Sequence, residues 1–419
     1  MLQYIKLKNV ALAPELTVNF AERFNLITGD NGLGKSFILD VAWWALTRTW
    51  AGSIALPTTS KKASIEYHIK GKVGTAQPVA SYFRREDESW PIEAKRPPIP
   101  GIVVYIRIDG GFSVWDPARN YWRTDPGRPA AYHFDSRNVW EGLDVNNQRV
   151  CEGLERDWVN WQEGRKPQFQ ALENVLRYLS PATEPLRAGQ PQRLFIGEGR
   201  DRPTLLIGNH TVPVALASAG VRRILALAYF LVWAWHEHRV AAQLLGKKSE
   251  ERFVILFDEP ETHLHPRWQR TIIPSLLAAV DTLRGKRGSH PQVLVTTHSP
   301  LVAASLEPLF DRSKDDLIHL GLRAGQVVIE QDCWAAQGDA TNWLVSETFG
   351  LEQARSLDAE KAIEAAEALM RGEKELPEGL DTKKSIHKAL QKLLPAHDDF
   401  WPRWLIETGA LKSLKGENK

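Results

Sequence analysis

Residues 29–36 have the types and spacing of a loop that binds phosphate groups. They read Gly-Asp-Asn-Gly-Leu-Gly-Lys-Ser, which fits the pattern G-x-x-x-x-G-K-[ST], and they follow an apolar stretch at 24–28 that is typical of a β-strand. Glycines let backbone N–H groups close around a phosphate, a lysine reaches the outer phosphates, and a serine hydroxyl binds Mg²⁺. The sequence therefore predicts a site for a nucleoside triphosphate. The residues expected to form it are Gly29, Asp30, Asn31, Gly32, Gly34, Lys35, Ser36 and Phe37.

Two acids follow a second predicted strand. Residues 252–257 are apolar from Phe253 onwards and lead directly into Asp258 and Glu259, as expected for a strand that is buried on both faces. Ligand sites in open α/β sheets lie at the carboxyl ends of the strands. We expect Asp258 to hold Mg²⁺ through water and Glu259 to act as the general base that polarises the attacking water.

Two further segments have both a structural and a functional interpretation. Residues 293–297 are typical of a buried strand, and His298 follows them either as a polar end group or as a catalytic residue. Residues 216–220, Leu-Ala-Ser-Ala-Gly, form a small turn before an apolar helix at 224–235. Ser218 is the expected N-cap of that helix.

The order of these four segments resembles that of an ABC-type ATPase. Residues 258–266, Asp-Glu-Pro-Glu-Thr-His-Leu-His-Pro, together with Asn9 and the loop at 29–32, resemble the SMC, RecF and OLD branch. A closer resemblance is to compact ATPases of bacterial anti-phage defence loci, such as the Septu ATPase and retron-associated ATPases that accompany an HNH nuclease. The resemblance implies that His298 contacts the γ-phosphate. It also implies that Ser218 and Gly220 contact the γ-phosphate held by a second copy of the chain.

The resemblance carries a full set of expectations. The fold is α/β, an ABC-type P-loop ATPase head with a mixed sheet, an inserted β/helical lobe and a helical C-terminal tail. ATP and Mg²⁺ are the expected cofactors, and a head-to-tail homodimer is the expected assembly. Dimer closure on ATP would regulate an effector, an HNH-type nuclease or a toxin. The alternative is a DNA-repair or DNA-tethering ATPase that binds nucleic acid directly.

Length and composition agree with this organisation. The chain has 419 residues, a net charge of +2 and only two cysteines, Cys151 and Cys333. These values are typical of a cytoplasmic protein with more than one lobe, and we expect no membrane segment. The boundaries we predict divide the chain into four parts. They are the first half of the ATPase core at 1–56, the inserted lobe at 57–212, the second half of the core at 213–330 and the helical region at 331–419.

Three assignments stay open on the sequence alone. The chain has 16 tryptophans, which favour core packing over a surface that stacks on bases. His263 and His265 are spaced like metal ligands, although the resemblance places them in a loop that faces the second copy. The glutamine that couples the lobe to Mg²⁺ in this class cannot be identified, and Gln162 is one candidate among several.

Overall fold

The structure, a computed structural model, describes residues 1–10, 13–58, 61–71, 77–92, 99–121, 129–285, 290–331, 334–373 and 375–408. The chain forms two compact units, Met1–Trp343 and Leu344–Lys419. The first unit contains every residue that the sequence predicts to bind nucleotide. None of the described helices is long and apolar enough to cross a membrane.

Strands and helices alternate along the first unit, and the second unit is helical. The strands are β1 (Leu2–Val10), β2 (Ala13–Asn19), β3 (Phe24–Gly29), β4 (Ser64–Ile69), β5 (Val79–Tyr82), β6 (Ile102–Ile106), β7 (Phe112–Trp115), β8 (Tyr132–Phe134), β9 (Leu143–Val145), β10 (Gln148–Cys151), β11 (Arg187–Ala188), β12 (Thr204–Ile207), β13 (His210–Pro213), β14 (Phe253–Asp258), β15 (Gln292–Thr296), β16 (Asp315–Arg323) and β17 (Gln326–Glu330). The α-helices are α1 (Lys35–Thr47), α2 (Ser136–Glu141), α3 (Leu154–Glu163), α4 (Pro167–Leu179), α5 (Ala219–Leu244), α6 (Pro266–Gln269), α7 (Ile272–Arg284), α8 (Pro300–Leu306), α9 (Ala340–Leu344), α10 (Leu357–Met370), α11 (Lys383–Leu393) and α12 (Phe400–Glu407).

An 8-stranded mixed sheet forms the centre of the first unit, with the strand order β17-β16-β3-β15-β14-β6-β7-β8. The strands from β16 to β6 are parallel, and the pairs at both edges are antiparallel. Strands β14 and β15 are buried along their whole length, as their continuous apolar sequences require. The predicted α/β fold with a mixed sheet is confirmed. The carboxyl ends of β3, β14 and β15 lie side by side and place the predicted site residues at one edge.

A smaller 4-stranded sheet, β2-β1-β4-β5, shares a hydrophobic core with the main sheet and with α1. Trp43 and Trp44 of α1 expose 0% and 2% of their surface in this core. Trp44 also stacks on Trp50, with ring centroids 5.4 Å apart. The helix that follows the phosphate loop is therefore fixed by packing on both sides.

The interval 57–212 contributes to several parts of the fold. Strands β4 and β5 extend the smaller sheet, whereas β6, β7 and β8 belong to the main sheet. Strand β6 pairs in parallel with β14, from Ile102 opposite Phe253 to Ile106 opposite Phe257. The other described elements of this interval are α2, α3 and α4 and the strands of two small sheets. Part of the segment that the sequence assigned to an inserted lobe is thus continuous with the main sheet.

Many of the described tryptophans are core residues. Among them, Trp43, Trp44, Trp115, Trp158 and Trp161 each expose 5% of their surface or less. Trp140 is partly exposed, and the guanidinium carbon of Arg222 lies 4.7 Å from its ring centre. Trp122 lies outside the described residues. Core packing is confirmed for the five buried rings.

The second unit has a core of its own, formed mainly by α10, α11 and α12. Ala362 and Ile363 of α10 are buried there with Ile386 and Leu390 of α11 and Trp404 of α12. Helix α10 buries one face, which includes Ala359, Ala362, Ile363 and Ala366. Residues 409–419 lie outside the described part of this unit.

Candidate functional site

The phosphate loop connects the end of β3 to the start of α1. Gly29, Gly32 and Gly34 have φ angles of 136°, 80° and 90°, a region that favours glycine. A Cβ atom on Gly29 would lie 2.4 Å from the carbonyl oxygen of Leu320, so the loop also passes close to β16. No side chain caps α1. Its first N–H groups and the positive end of its dipole therefore suit an anion.

Lys35 lies inside this loop. Its Nζ donates hydrogen bonds to the carbonyl oxygens of Gly29 and Asp30, at 2.8 and 2.9 Å. Burial lowers the pKa of Lys35, and the carboxylates of Glu259 and Asp258 oppose that shift. Its positive charge is thus held between the loop and the two acids that follow β14.

Three oxygen atoms from different elements meet beside the loop. Oγ of Ser36 donates to Oδ1 of Asp258 at 3.0 Å, and Oγ1 of Thr296 donates to the same oxygen at 2.6 Å. Hydroxyl and carboxylate oxygens are the ligands that Mg²⁺ prefers. The donor set therefore fits Mg²⁺, with Ser36 and Asp258 as the predicted ligands. Thr296 was not predicted, because a threonine within an apolar strand gives no signal of its own.

Glu259 has an unusual backbone conformation, with φ at 45°. Its N–H donates to both the carbonyl oxygen and Oγ1 of Thr296, at 3.2 and 3.1 Å. Nε2 of His298 lies 3.5 Å from Oε1 of Glu259. Burial lowers the pKa of His298, and the charge of Lys35 lowers it further while Glu259 raises it. The imidazole is therefore neutral at pH 7, and it faces the carboxylate predicted to be the general base.

Ser218 and Gly220 lie at the start of α5. Oγ of Ser218 accepts a hydrogen bond from the N–H of Val221 at 3.4 Å, so the predicted N-cap is confirmed. A Cβ on Gly220 would lie 2.5 Å from the carbonyl oxygen of His263, which places this turn against the segment that follows Glu259. Among the described residues, no hydrogen bond or ion pair joins Ser218 or Gly220 to the phosphate loop.

Arg223 connects α5 to the end of β14, and the sequence analysis missed it. Its Nη2 donates to the carbonyl oxygens of Asp258 and Glu259 at 3.0 and 3.2 Å, and its Nη1 donates to that of Ile108 at 3.3 Å. Arg223 exposes only 8% of its surface, and burial lowers its pKa. The sequence did contain an indication, because Arg223 directly precedes the uninterrupted apolar run of α5. A charged residue beside a helix segment that must be buried needs a partner.

Asp40 lies one turn beyond Ser36 on α1 and accepts a hydrogen bond from the hydroxyl of Tyr105 at 3.1 Å. Burial raises the pKa of Asp40 to about 6, although the bond from Tyr105 opposes the shift. In an unfolded chain the pKa of an aspartate is about 3.9. Between these two values the folded protein binds more protons than the unfolded chain. The contribution of Asp40 to stability therefore falls as the pH rises through this window.

We expect Asp40→Asn to remove this contribution. Urea unfolding between pH 4 and pH 7 should show a smaller loss of unfolding free energy with rising pH for the variant than for the wild type. Asp157→Asn is the comparison at a second site, because burial also raises the pKa of Asp157 to about 6, at a place away from the phosphate loop. It should reduce the pH dependence in the same way. Equal pH dependence in the wild type and Asp40→Asn would contradict the assignment.

His265 and Gln162, two of the residues that the sequence left open, have structural partners. Nδ1 of His265 accepts a hydrogen bond from the N–H of Arg267 at 3.3 Å and caps α6. Neither His263 nor His265 belongs to a group of three potential metal ligands within the described residues. Gln162 donates to the carbonyl oxygen of Gly189 at 2.9 Å and accepts from Nε1 of Trp158 at 3.1 Å.

Comparisons with known proteins agree with this geometry. Residues 4–114, which include the phosphate loop, match the family model of an AAA domain. Residues 156–303, which include Ser218, Asp258, Glu259 and His298, match that of an AAA ATPase domain. Both matched models describe AAA-type domains, and together they include the phosphate loop and the site residues at the ends of β14 and β15.

Along nearly its whole length, the chain is similar to Septu protein PtuA of Bacillus thuringiensis. The two are 22% identical over 406 residues, which cover 94% of this chain and 93% of that protein. Among solved structures, the SMC head domain from Thermotoga maritima has 16% identity, coverage of 78% of this chain and 98% of that chain, and a TM-score of 0.37. The recombination mediator RecF with ATP has 13% identity, coverage of 79% and 97%, and a TM-score of 0.37.

Proposed function

We propose that the chain binds and hydrolyses ATP at the edge formed by β3, β14 and β15. The observation that carries this proposal is the shared contact of Ser36 and Thr296 with Asp258, beside Lys35. The N–H groups of the loop and Lys35 would bind the phosphates, and Ser36 and Asp258 would hold Mg²⁺. When bound, Mg²⁺ would neutralise charge on the phosphate oxygens. Glu259 would take a proton from the attacking water, and His298 would contact the γ-phosphate.

A second copy of the chain would complete each site. The turn with Ser218 and Gly220 has the exposed N-terminal end of a long helix, and it has no described contact with the phosphate loop of its own chain. Such a helix end suits a phosphate that is presented by another molecule. We therefore place Ser218 and Gly220 on the γ-phosphate bound by the partner copy, in a head-to-tail dimer that closes on ATP and opens after hydrolysis.

The biological role that we propose is the control of an effector in anti-phage defence. Similarity to Septu protein PtuA along nearly the whole chain supports this role. The expected effector is an HNH-type nuclease or a toxin, whose activity changes when the ATPase dimer closes. This role is tested by purifying the Glu259→Gln protein with ATP from the native host. Mass spectrometry and nucleic-acid sequencing then identify what co-purifies. A stoichiometric nuclease supports the proposal, whereas DNA without a protein partner contradicts it and supports a DNA-tethering role.

Mixing of two inactive variants tests whether the sites form between copies. Lys35→Ala removes the phosphate-binding cation, and Ser218→Arg blocks the helix end that faces the partner copy. Neither variant has an intact site on its own, so each alone should lose ATP hydrolysis. A pair formed from the two variants combines the intact loop of Ser218→Arg with the intact turn of Lys35→Ala. An equimolar mixture should therefore recover up to about a quarter of wild-type activity, the share of one site in half of the pairs formed at random.

The measurement is steady-state phosphate release after the two variants are mixed and allowed to exchange. A mixture that stays inactive, although exchange is shown with differently tagged copies, would contradict the shared site. Lys35→Ala mixed with a second loop variant, Ser36→Ala, is the matched control. That pair leaves no intact loop in any dimer and should not recover activity.

A further inference from the structure

Glu261 is the third acid in the segment that follows β14, and its side chain reaches the end of β15. Its Oε1 accepts one hydrogen bond from Oγ1 of Thr297 at 2.8 Å and another from the backbone N–H of His298 at 2.6 Å. Both donors belong to consecutive residues directly after β15. A single carboxylate oxygen therefore anchors the main chain of the histidine and the side chain of the residue before it.

The second oxygen of Glu261 has a different environment. Oε2 is buried and has no hydrogen-bond partner among the described residues. Burial raises the pKa of Glu261, whereas the bonds from His298 and Thr297 lower it. The contacts that link Glu261 to His298 thus need only one acceptor oxygen. A neutral side chain of the same shape can supply that oxygen, because a glutamine carries one carbonyl oxygen in the same place.

The residues on either side of His298 have anchors of their own. The N–H of Thr297 donates to the carbonyl oxygen of Ile27 at 3.1 Å. Oγ of Ser299 donates to Oε1 of Gln269 at 2.8 Å, and Ser299 also caps α8. Loss of the hydrogen bond that the N–H of His298 donates to Glu261 would therefore free the main chain at His298 while its neighbours stay attached. The ring would then lose its fixed distance of 3.5 Å from Glu259.

We infer that Glu261 is a positioning residue, which sets the place of His298 relative to Glu259 by holding the histidine's backbone. This inference rests on the proposed function of His298 at the γ-phosphate. Glu261 acts through hydrogen-bond geometry and not through its charge. It therefore links the ends of β14 and β15, the two strands that lead into the general base and the histidine.

The test compares kcat and KM for ATP in Glu261→Ala and Glu261→Gln, each alone and combined with His298→Ala. Glu261→Ala should lower kcat by up to about 10²-fold, because displacement of a catalytic group by about 1 Å has an effect of this size. The KM should change by less than about threefold, since the phosphate loop is untouched. Glu261→Gln should keep at least about a third of wild-type kcat, because its carbonyl oxygen can accept both hydrogen bonds. In the His298→Ala background, Glu261→Ala should cause no further loss, since the group that it positions is absent.

Two outcomes would overturn the inference. One is a kcat for Glu261→Gln as low as that of Glu261→Ala, which would show that the charge is required. The other is a further loss when Glu261→Ala is added to His298→Ala, which would show a route other than through the histidine. Urea unfolding reports whether Glu261→Ala folds. If that variant does not fold, Glu261→Met is used in its place, because methionine keeps the length of the side chain without the acceptor oxygen.

The same measurements separate this inference from the proposed function. Full activity of Glu259→Gln or His298→Ala would refute the roles proposed for the site itself. Hydrolysis that depends on Glu259 and His298, together with full activity of Glu261→Ala, would refute only the positioning role. Ser299→Ala is the matched control, because it removes the neighbouring anchor to Gln269 and leaves both bonds to Glu261 in place.

Discussion

Replacement of Glu259 by glutamine is expected to lower kcat for ATP hydrolysis about 10²- to 10⁴-fold, because the general base is lost. ATP binding should remain, since the amide keeps the shape of the side chain and Lys35 and Ser36 are unchanged. The variant should therefore accumulate as a closed dimer in the presence of ATP. The N–H of Glu259, which bonds to Thr296, is also unaffected by the substitution.

Phosphate release and size-exclusion chromatography with ATP or ADP measure the two effects separately. The dimer should be present with ATP and absent with ADP. Lys35→Ala, which removes the phosphate-binding cation, is the comparison that should stay monomeric with either nucleotide. A Glu259→Gln protein with wild-type turnover would remove Glu259 from its proposed role.

Arg223→Met is expected to destabilise the fold by about 2–4 kcal/mol, because it removes the hydrogen bonds of a buried guanidinium to three carbonyl oxygens. These oxygens belong to Ile108, Asp258 and Glu259. Methionine fills most of the same space, so the loss reports the missing hydrogen bonds rather than a cavity. Hydrolysis should also slow, since the backbone of both acids loses its contact with α5.

Arg222→Met is the matched control for this variant. Arg222 occupies the adjacent position on α5, but it is exposed and lies over the ring of Trp140. Its replacement should change the free energy of unfolding by less than about 1 kcal/mol. Urea unfolding of both variants and of the wild type makes the comparison. Equal stability of Arg222→Met and Arg223→Met would contradict the proposed anchoring of β14 by α5.

The sequence predicted the parts of the site that depend on local pattern. Strand β14 was recognisable because its apolar run ends in Asp258 and Glu259, and the loop at 29–36 because its glycines and Lys35 have fixed spacing. Ser218 was predicted as an N-cap from its position before an apolar helix, and the structure confirms this assignment. Each of these signals needs only residues that are close together along the chain.

Contacts between distant segments could not be predicted in this way. The hydroxyl of Thr296 reaches Asp258, and the guanidinium of Arg223 reaches two carbonyl oxygens at the end of β14, because the strand order places these elements together. The sequence of β6 is apolar, but no local feature shows which strand it pairs with. It could equally have paired within a separate lobe, whereas in the structure its neighbour is β14. Such pairings are a property of the sheet as a whole.

The strand order of the main sheet also governs how the chain can fold during synthesis. Strand β3, which leads into the phosphate loop, has β15 and β16 as its two neighbours, and Phe24 pairs with Val293 and Asp315. Ribosomes add about 5–20 residues per second, so β3 waits tens of seconds before either neighbour emerges. Pairing across so many residues is entropically costly and slow. The apolar side chains of β3 must therefore be shielded by a chaperone or by provisional contacts until the last third of the protein has been made.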